Sequence, residues 1–134
     1  GKVTIYSTSP EMSRKAMVYY LDMSFGDREG LITSKNPETC TPEQAAFFKE
    51  LFTGADYKEN YAILNNYVKS LGDSIPPFIH LYIGLSPTMK TFGTTFDPDF
   101  GDCYDTAMII TTDDIYPDKY KRYVESYEKC KVRK

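Results

Sequence analysis

Two consecutive apolar stripes at helical spacing, each with its own start and stop signal, constrain this chain more than any other feature. Thr41-Pro42-Glu43-Gln44 opens the first. The Thr41 hydroxyl can accept from the Gln44 amide while the Gln44 side chain reaches back. Phe47, Phe48, Leu51 and Phe52 make the stripe, and Gly54 stops it. Asp56 opens the second, with Glu59 three residues on. Tyr57, Tyr61, Leu64, Val68 and Leu71 share one face, and Gly72 ends it. Two such helices must bury those faces against something else in the chain.

The partner reads as a β-sheet. Lys2–Ser7 is rich in β-branched and aromatic residues and predicts a strand. Ser74–Leu85 predicts another, with Pro76 and Pro77 at its start, the position where a strand tolerates proline. Alternation then puts Ile79, Leu81, Ile83 and Leu85 on one side and Phe78, His80 and Tyr82 on the other. Met89–Phe96 predicts a strand with Gly93 as a bulge or a point of close approach. Thr106–Thr112 predicts a strand buried on both faces, and Leu31–Ser34 a short one. Ser9-Pro10 opens a helix carrying Met12, Ala16, Tyr19, Tyr20 and Met23, with Ser9 as its cap. Tyr116-Pro117-Asp118 opens a last helix with Tyr120, Tyr123, Val124, Tyr127 and Cys130 on one stripe. The expected fold is therefore α+β (or α/β): a single mixed sheet of about four or five strands packed with about four helices. Residues 1–134 read as one globular domain.

Charge and composition narrow the function. The formal net charge is −3. Nonspecific nucleic-acid binding needs a strongly basic surface, so no nucleic-acid partner is expected. No apolar run approaches the roughly 20 residues that cross a bilayer, so a soluble chain with no transmembrane segment is expected. The charge is unevenly spread. Thr91–Asp118 carries seven aspartates and no Lys or Arg, whereas Lys119–Lys134 turns basic through Lys119, Lys121, Arg122, Lys129, Lys131, Arg133 and Lys134. Such runs usually form solvated faces that neutralise each other. The chain begins at Gly1, which leaves a cytoplasmic location and export after loss of a leader both open.

Cys40, Cys103 and Cys130 match no zinc spacing. After export, a Cys40–Cys103 or Cys103–Cys130 bridge is plausible, whereas a reducing cytosol keeps all three free. Asp102 and Asp105 oppose thiolate formation at Cys103. Cys40 precedes a helix start, where amides would lower its pKa, so it is the better reactive thiol.

Asp97, Asp99, Asp102 and Asp105 in FDPDFGDCYDT are the candidate ligands for a divalent cation. They do not form a helix–loop–helix calcium loop, because glycine falls at the fifth position and Met108 occupies the twelfth. His80 is the sole histidine, so any histidine-based catalysis would have to use it. Nucleotide-loop, zinc-protease and nucleophile-elbow motifs are absent. Tyr116, Tyr120, Tyr123 and Tyr127 are candidate contact residues for another protein or a small ligand, or else pack on the sheet.

VTIYSTSPEM, a strand running into a helix, resembles the start of a glutaredoxin, with Ser9-Pro10-Glu11-Met12 where that family has C-P-Y-C. Pro76-Pro77 is similar to the proline site of thioredoxin-like folds. Lacking both redox cysteines, such a protein would be a redox-inactive adaptor. These residues leave a non-catalytic binding or interaction domain as the first expectation. A metal-dependent phosphoesterase-like enzyme using the aspartate loop is the second, and the redox-inactive adaptor the third.

Overall fold

The computed structural model describes residues 1–132; Arg133 and Lys134, counted above in the basic tail, lie outside them. The architecture is α+β. Three strands, β1 (Lys2–Ile5), β2 (Lys90–Asp97) and β3 (Cys103–Ile109), form one sheet in the order β1-β3-β2, antiparallel throughout. Four helices precede β2: α1 (Glu11–Phe25), α2 (Pro42–Leu51), α3 (Tyr57–Ser70) and α4 (Pro77–Ile83). After β3, α5 (Pro117–Tyr120) runs through a π-helical turn, Lys121–Glu125, into α6 (Ser126–Val132).

The sheet is smaller than the four or five strands expected, because the apolar run after Pro76-Pro77 is a helix. Proline at the first helical positions costs no hydrogen bond there, and Pro77 starts α4. Ile79 and Ile83, four apart, are its buried residues, as helical spacing requires. Alternating and helical patterns overlap in so short an apolar run. Leu31–Ser34 forms no strand either. β3 is not buried on both faces along its length: Thr106 and Met108 on one face are covered, whereas on the other Cys103 is buried and Ile109 is exposed.

α1 is the central element and packs on β2, α2 and α3. Ser9 does not cap it; Pro10 holds that place and no side chain bonds the free amides. Because α1 is covered from several sides, its buried residues (Ala16, Met17, Tyr20 and Leu21 among them) spread beyond a single stripe. The caps of the next two helices form as expected. Thr41 and Gln44 close a reciprocal capping box, and Asp56 accepts from the Glu59 amide at 2.8 Å. Phe48, Leu64 and Val68 are fully buried beneath them, while Phe47 and Leu71 at the stripe edges are exposed. Tyr20 is buried too and donates to the Tyr57 carbonyl at 2.8 Å.

β2 bulges between Thr91 and Thr94, with Gly93 at φ 85°. A side chain in that region is strained even where space is open, and a Cβ here meets nothing within 4 Å. Gly93→Ala is thus expected to cost about 1–2 kcal/mol from backbone strain alone. A thermal melt that shows no loss would mean the bulge relaxes without glycine.

Candidate functional site

The loop between α1 and α2 builds the site. It runs back along the outer edge of β2, which no strand covers. Asp27 donates its amide to the Thr91 carbonyl and Glu38 donates its amide to the Thr94 carbonyl, both at 2.8 Å. The Asn36 carbonyl accepts from Phe96 at 3.0 Å. These bonds satisfy an otherwise open sheet edge. A cleft of about 540 Å³ is lined by α1, this loop and β2. Val18 and Leu21 of α1, Ile32 and Pro37 of the loop, and Phe92 of β2 give it apolar walls. Such a cleft is of the size and character that holds a small organic ligand.

Its polar lining includes Asp22, Asp27, Glu38 and Thr39, with Cys40 in the same wall. Two cations of α1 reach the Glu38 carboxylate. Lys15 Nζ lies 2.6 Å and Arg14 Nε 3.5 Å from the same oxygen, Oε1. All three side chains are almost covered, with 11–13% of each exposed. Lys15 Nζ also donates to the Thr39 carbonyl, and the Arg14 guanidinium lies 4.1 Å from the centre of the Tyr104 ring, a cation–π contact. The charges attract, yet neither Arg14 Nε nor Glu38 Oε1 completes a well-aligned hydrogen bond. The cluster is held by Coulomb attraction and packing, and carries one positive charge in excess, two cations against one carboxylate. Sequence reasoning missed it. The signal was Lys15, a charge set three residues after Met12 and four before Tyr19 on an apolar stripe.

Cys40 is half-buried in the cleft wall. Burial is the largest influence on its thiol and pushes the pKa up; nearby Lys15 opposes this and Glu38 adds to it. That reverses the expectation of a thiol activated by the helix start, because a buried thiolate loses its hydration. The three cysteines are free.

The candidates named from sequence lie elsewhere. His80 sits on α4 rather than in a strand, is exposed, and has its ring 5.5 Å from that of Tyr61. The four aspartates surround the β2–β3 turn. Asp97 accepts from the Asp99 amide, while Asp102 occupies the turn at φ 53°. Asp105 accepts from Thr4 Oγ1 at 2.7 Å and pairs with Lys2 at 3.0 Å. Among the described residues no group of three or more His, Cys, Asp or Glu side chains could hold a metal ion. Asp97 and Asp105 instead border a second hollow of about 320 Å³, on the sheet face opposite Thr94 and Thr106. Tyr123 and Tyr127 are exposed on the last helical segment, and Tyr116 and Tyr120 are half-buried. Among the described residues no helix is long and apolar enough to cross a membrane.

Comparison with known proteins supplies the functional direction. The chain is 38% identical over 129 residues to a glycine N(α)-acyltransferase of Phocaeicola vulgatus, covering 96% of this chain and 39% of that protein. It is also 38% identical over 130 residues to a glycine N(α)-acyltransferase of Bacteroides thetaiotaomicron, covering 95% of this chain and 37% of that protein. The chain thus spans about two fifths of the length of these curated relatives. No family model and no solved structure matches it. The relatives' named activity overturns the expectation of a non-catalytic binding domain, and with it the metal-dependent phosphoesterase reading. The redox-inactive adaptor fails as well. The sheet is antiparallel throughout, and Pro76-Pro77 leads into a helix where the thioredoxin-like comparison requires a strand.

Proposed function

We propose that this chain is part of an acyltransferase that joins an acyl group to the α-amine of glycine. The observation that carries the reading is 38% identity sustained over nearly the whole chain to two proteins of that name. Because the chain spans only about two fifths of those relatives, the activity is assigned to the full-length protein, in which this chain contributes the cleft beside β2.

Amide formation needs an unprotonated amine, an activated acyl carbonyl such as that of a thioester, and a way to hold the two in contact. The amine nitrogen bonds to the carbonyl carbon, the carbon–sulfur bond breaks, and the proton lost from nitrogen balances the departing thiolate. Orientation alone lowers the barrier of such a two-substrate step substantially. The cleft suits the task because an apolar wall of Val18, Leu21, Ile32 and Phe92 can shelter an alkyl segment, while polar groups, Asp22, Asp27 and Glu38 among them, line the same cleft.

The test is direct. Full-length protein is incubated with isotope-labelled glycine and acyl thioesters of graded chain length, and products are read by mass spectrometry. Labelled N-acylglycine that depends on protein and on both substrates is the expected result. No product from any donor across the series would overturn the reading.

A further inference from the structure

The two edges of the sheet are finished differently. Along β2 the α1–α2 loop bonds the outward backbone groups. β1 is the other edge, since the strand order is β1-β3-β2. The Gly1 nitrogen donates to the Met108 carbonyl and the Met108 amide donates to the Gly1 carbonyl, both at 2.9 Å. In an antiparallel ladder, pairs that exchange hydrogen bonds alternate with pairs that exchange none. The register therefore aims the Val3 and Ile5 backbone at Thr106 and Tyr104 of β3, and turns the Lys2 and Thr4 backbone away from the sheet. Among the described residues neither Lys2 nor Thr4 has a backbone partner on that side. An open row of this kind is a template for another strand, and proline, a bulge or a projecting charge commonly blunts it. β1 contains no proline, and its register with β3 is unbroken from Lys2 to Ile5. Its one charge, Lys2, is drawn over the sheet face to Asp105 at 3.0 Å. The strand is also firmly seated, with Val3 and Ile5 fully buried in the core.

The length of the relatives points to an occupant. The larger part of each lies outside the region that this chain matches, and three strands fall short of the four to six or so that a sheet usually holds. Apolar side chains flank the open edge as well. Tyr6, directly after β1, is 63% exposed and Phe78 of α4 is 61% exposed. The Phe78 ring centre lies 6.4 Å from that of Tyr82, and the Tyr82 hydroxyl adjoins Gly1. We propose that in the full-length protein a strand from the part this chain does not span pairs with the Lys2 and Thr4 backbone, so that β1 becomes an interior strand of a larger sheet. Nothing in this depends on which reaction the protein performs.

Amide hydrogen exchange of the full-length protein, read residue by residue by electron-transfer fragmentation, tests this. Val3 and Ile5 serve as internal standards, because β3 holds their amides in any case. The expected result is that the Lys2 and Thr4 amides exchange within about tenfold of these protected standards, as bonded positions of one strand do. Faster exchange at both, alternating with protection at Val3 and Ile5, is the pattern of an open edge and would overturn the proposal. Protection at only one of the two would overturn it as well, since a strand engages both and a single loop contact engages one. Unprotected Val3 and Ile5 would contradict the β1–β3 pairing itself, and the proposal with it. A second copy of the protein is the rival occupant. Repeating the exchange at about a hundredfold lower protein concentration separates the two, because only association between molecules weakens on dilution. Unchanged protection at Lys2 and Thr4 is expected. Protection that falls on dilution would assign the edge to self-association instead. The readout is the same whether or not the protein makes N-acylglycine, so failure of the acyltransferase reading and failure of the strand pairing are told apart.

Discussion

Phe48→Ala is expected to remove about 3–5 kcal/mol of stability, the range for emptying a large buried aromatic site. Phe48 has no exposed surface. Its ring centre lies 5.5 Å from those of Tyr19 and Phe47, 6.2 Å from Tyr67 and 6.3 Å from Phe52. It is therefore the point where α2 meets both α1 and α3. Neighbours that are themselves rigid rings cannot collapse into the space, which keeps the cavity cost near the upper part of the range. A single domain has only about 5–15 kcal/mol in total, so the change should show as a fall in Tm of about 10 °C or more. A urea melt measures it independently, with the slope m unchanged if the denatured state is unaltered. A loss below about 1 kcal/mol would place the ring at the surface and contradict the packing of α2.

Glu38→Ala is expected to cost a similar amount, about 3–5 kcal/mol, for a different reason. The carboxylate is the counter-charge to Lys15 at 2.6 Å and Arg14 at 3.5 Å, both nearly covered. Removing one partner of a buried ion pair leaves uncompensated charge, which costs more than the pair itself contributes. The direction follows from burial, since an exposed pair would be worth at most about 1 kcal/mol. A double-mutant cycle with Lys15→Met isolates the interaction. The double variant should be less destabilised than the sum of the singles by at least about 1 kcal/mol, because the second substitution removes one of the stranded cations. Additive effects would mean that Lys15 and Glu38 do not interact in solution, and would remove the basis for treating Glu38 as a held carboxylate.

These two expectations also show where the sequence was readable. Phe48 could be picked out from its place on a capped, amphipathic segment, because helix caps and stripes are local chemistry. Thr41–Gln44 and Asp56–Glu59 formed as their spacing requires, and the β2 bulge fell where Gly93 breaks the strand. Glu38 could not be found that way. It lies in a loop with no periodicity, and its partners are more than twenty positions earlier on α1. The only trace was a lysine on an apolar stripe. The aspartates of the β2–β3 turn drew notice through composition, yet Asp105 is matched to Lys2 and Thr4 across the sheet. Clustering in sequence is not convergence in space.

By itself the sequence determined the secondary elements whose signals are short-ranged: the caps of α2 and α3, the strands near Lys2 and Met89, a third strand expected over Thr106–Thr112 that runs three residues earlier, over Cys103–Ile109, and the α+β class that follows from combining them. Tertiary structure alone decided that the run after Pro77 would be a helix, since a seven-residue apolar stretch satisfies both periods and only burial of Ile79 and Ile83 chooses between them. It alone decided that the α1–α2 loop would complete the edge of β2 and so create a cleft with Glu38 in its lining. Hydrogen bonding along the chain acts between near neighbours and leaves a pattern in sequence. The meeting of a loop carboxylate with two helix cations depends on how the elements pack, and leaves almost none.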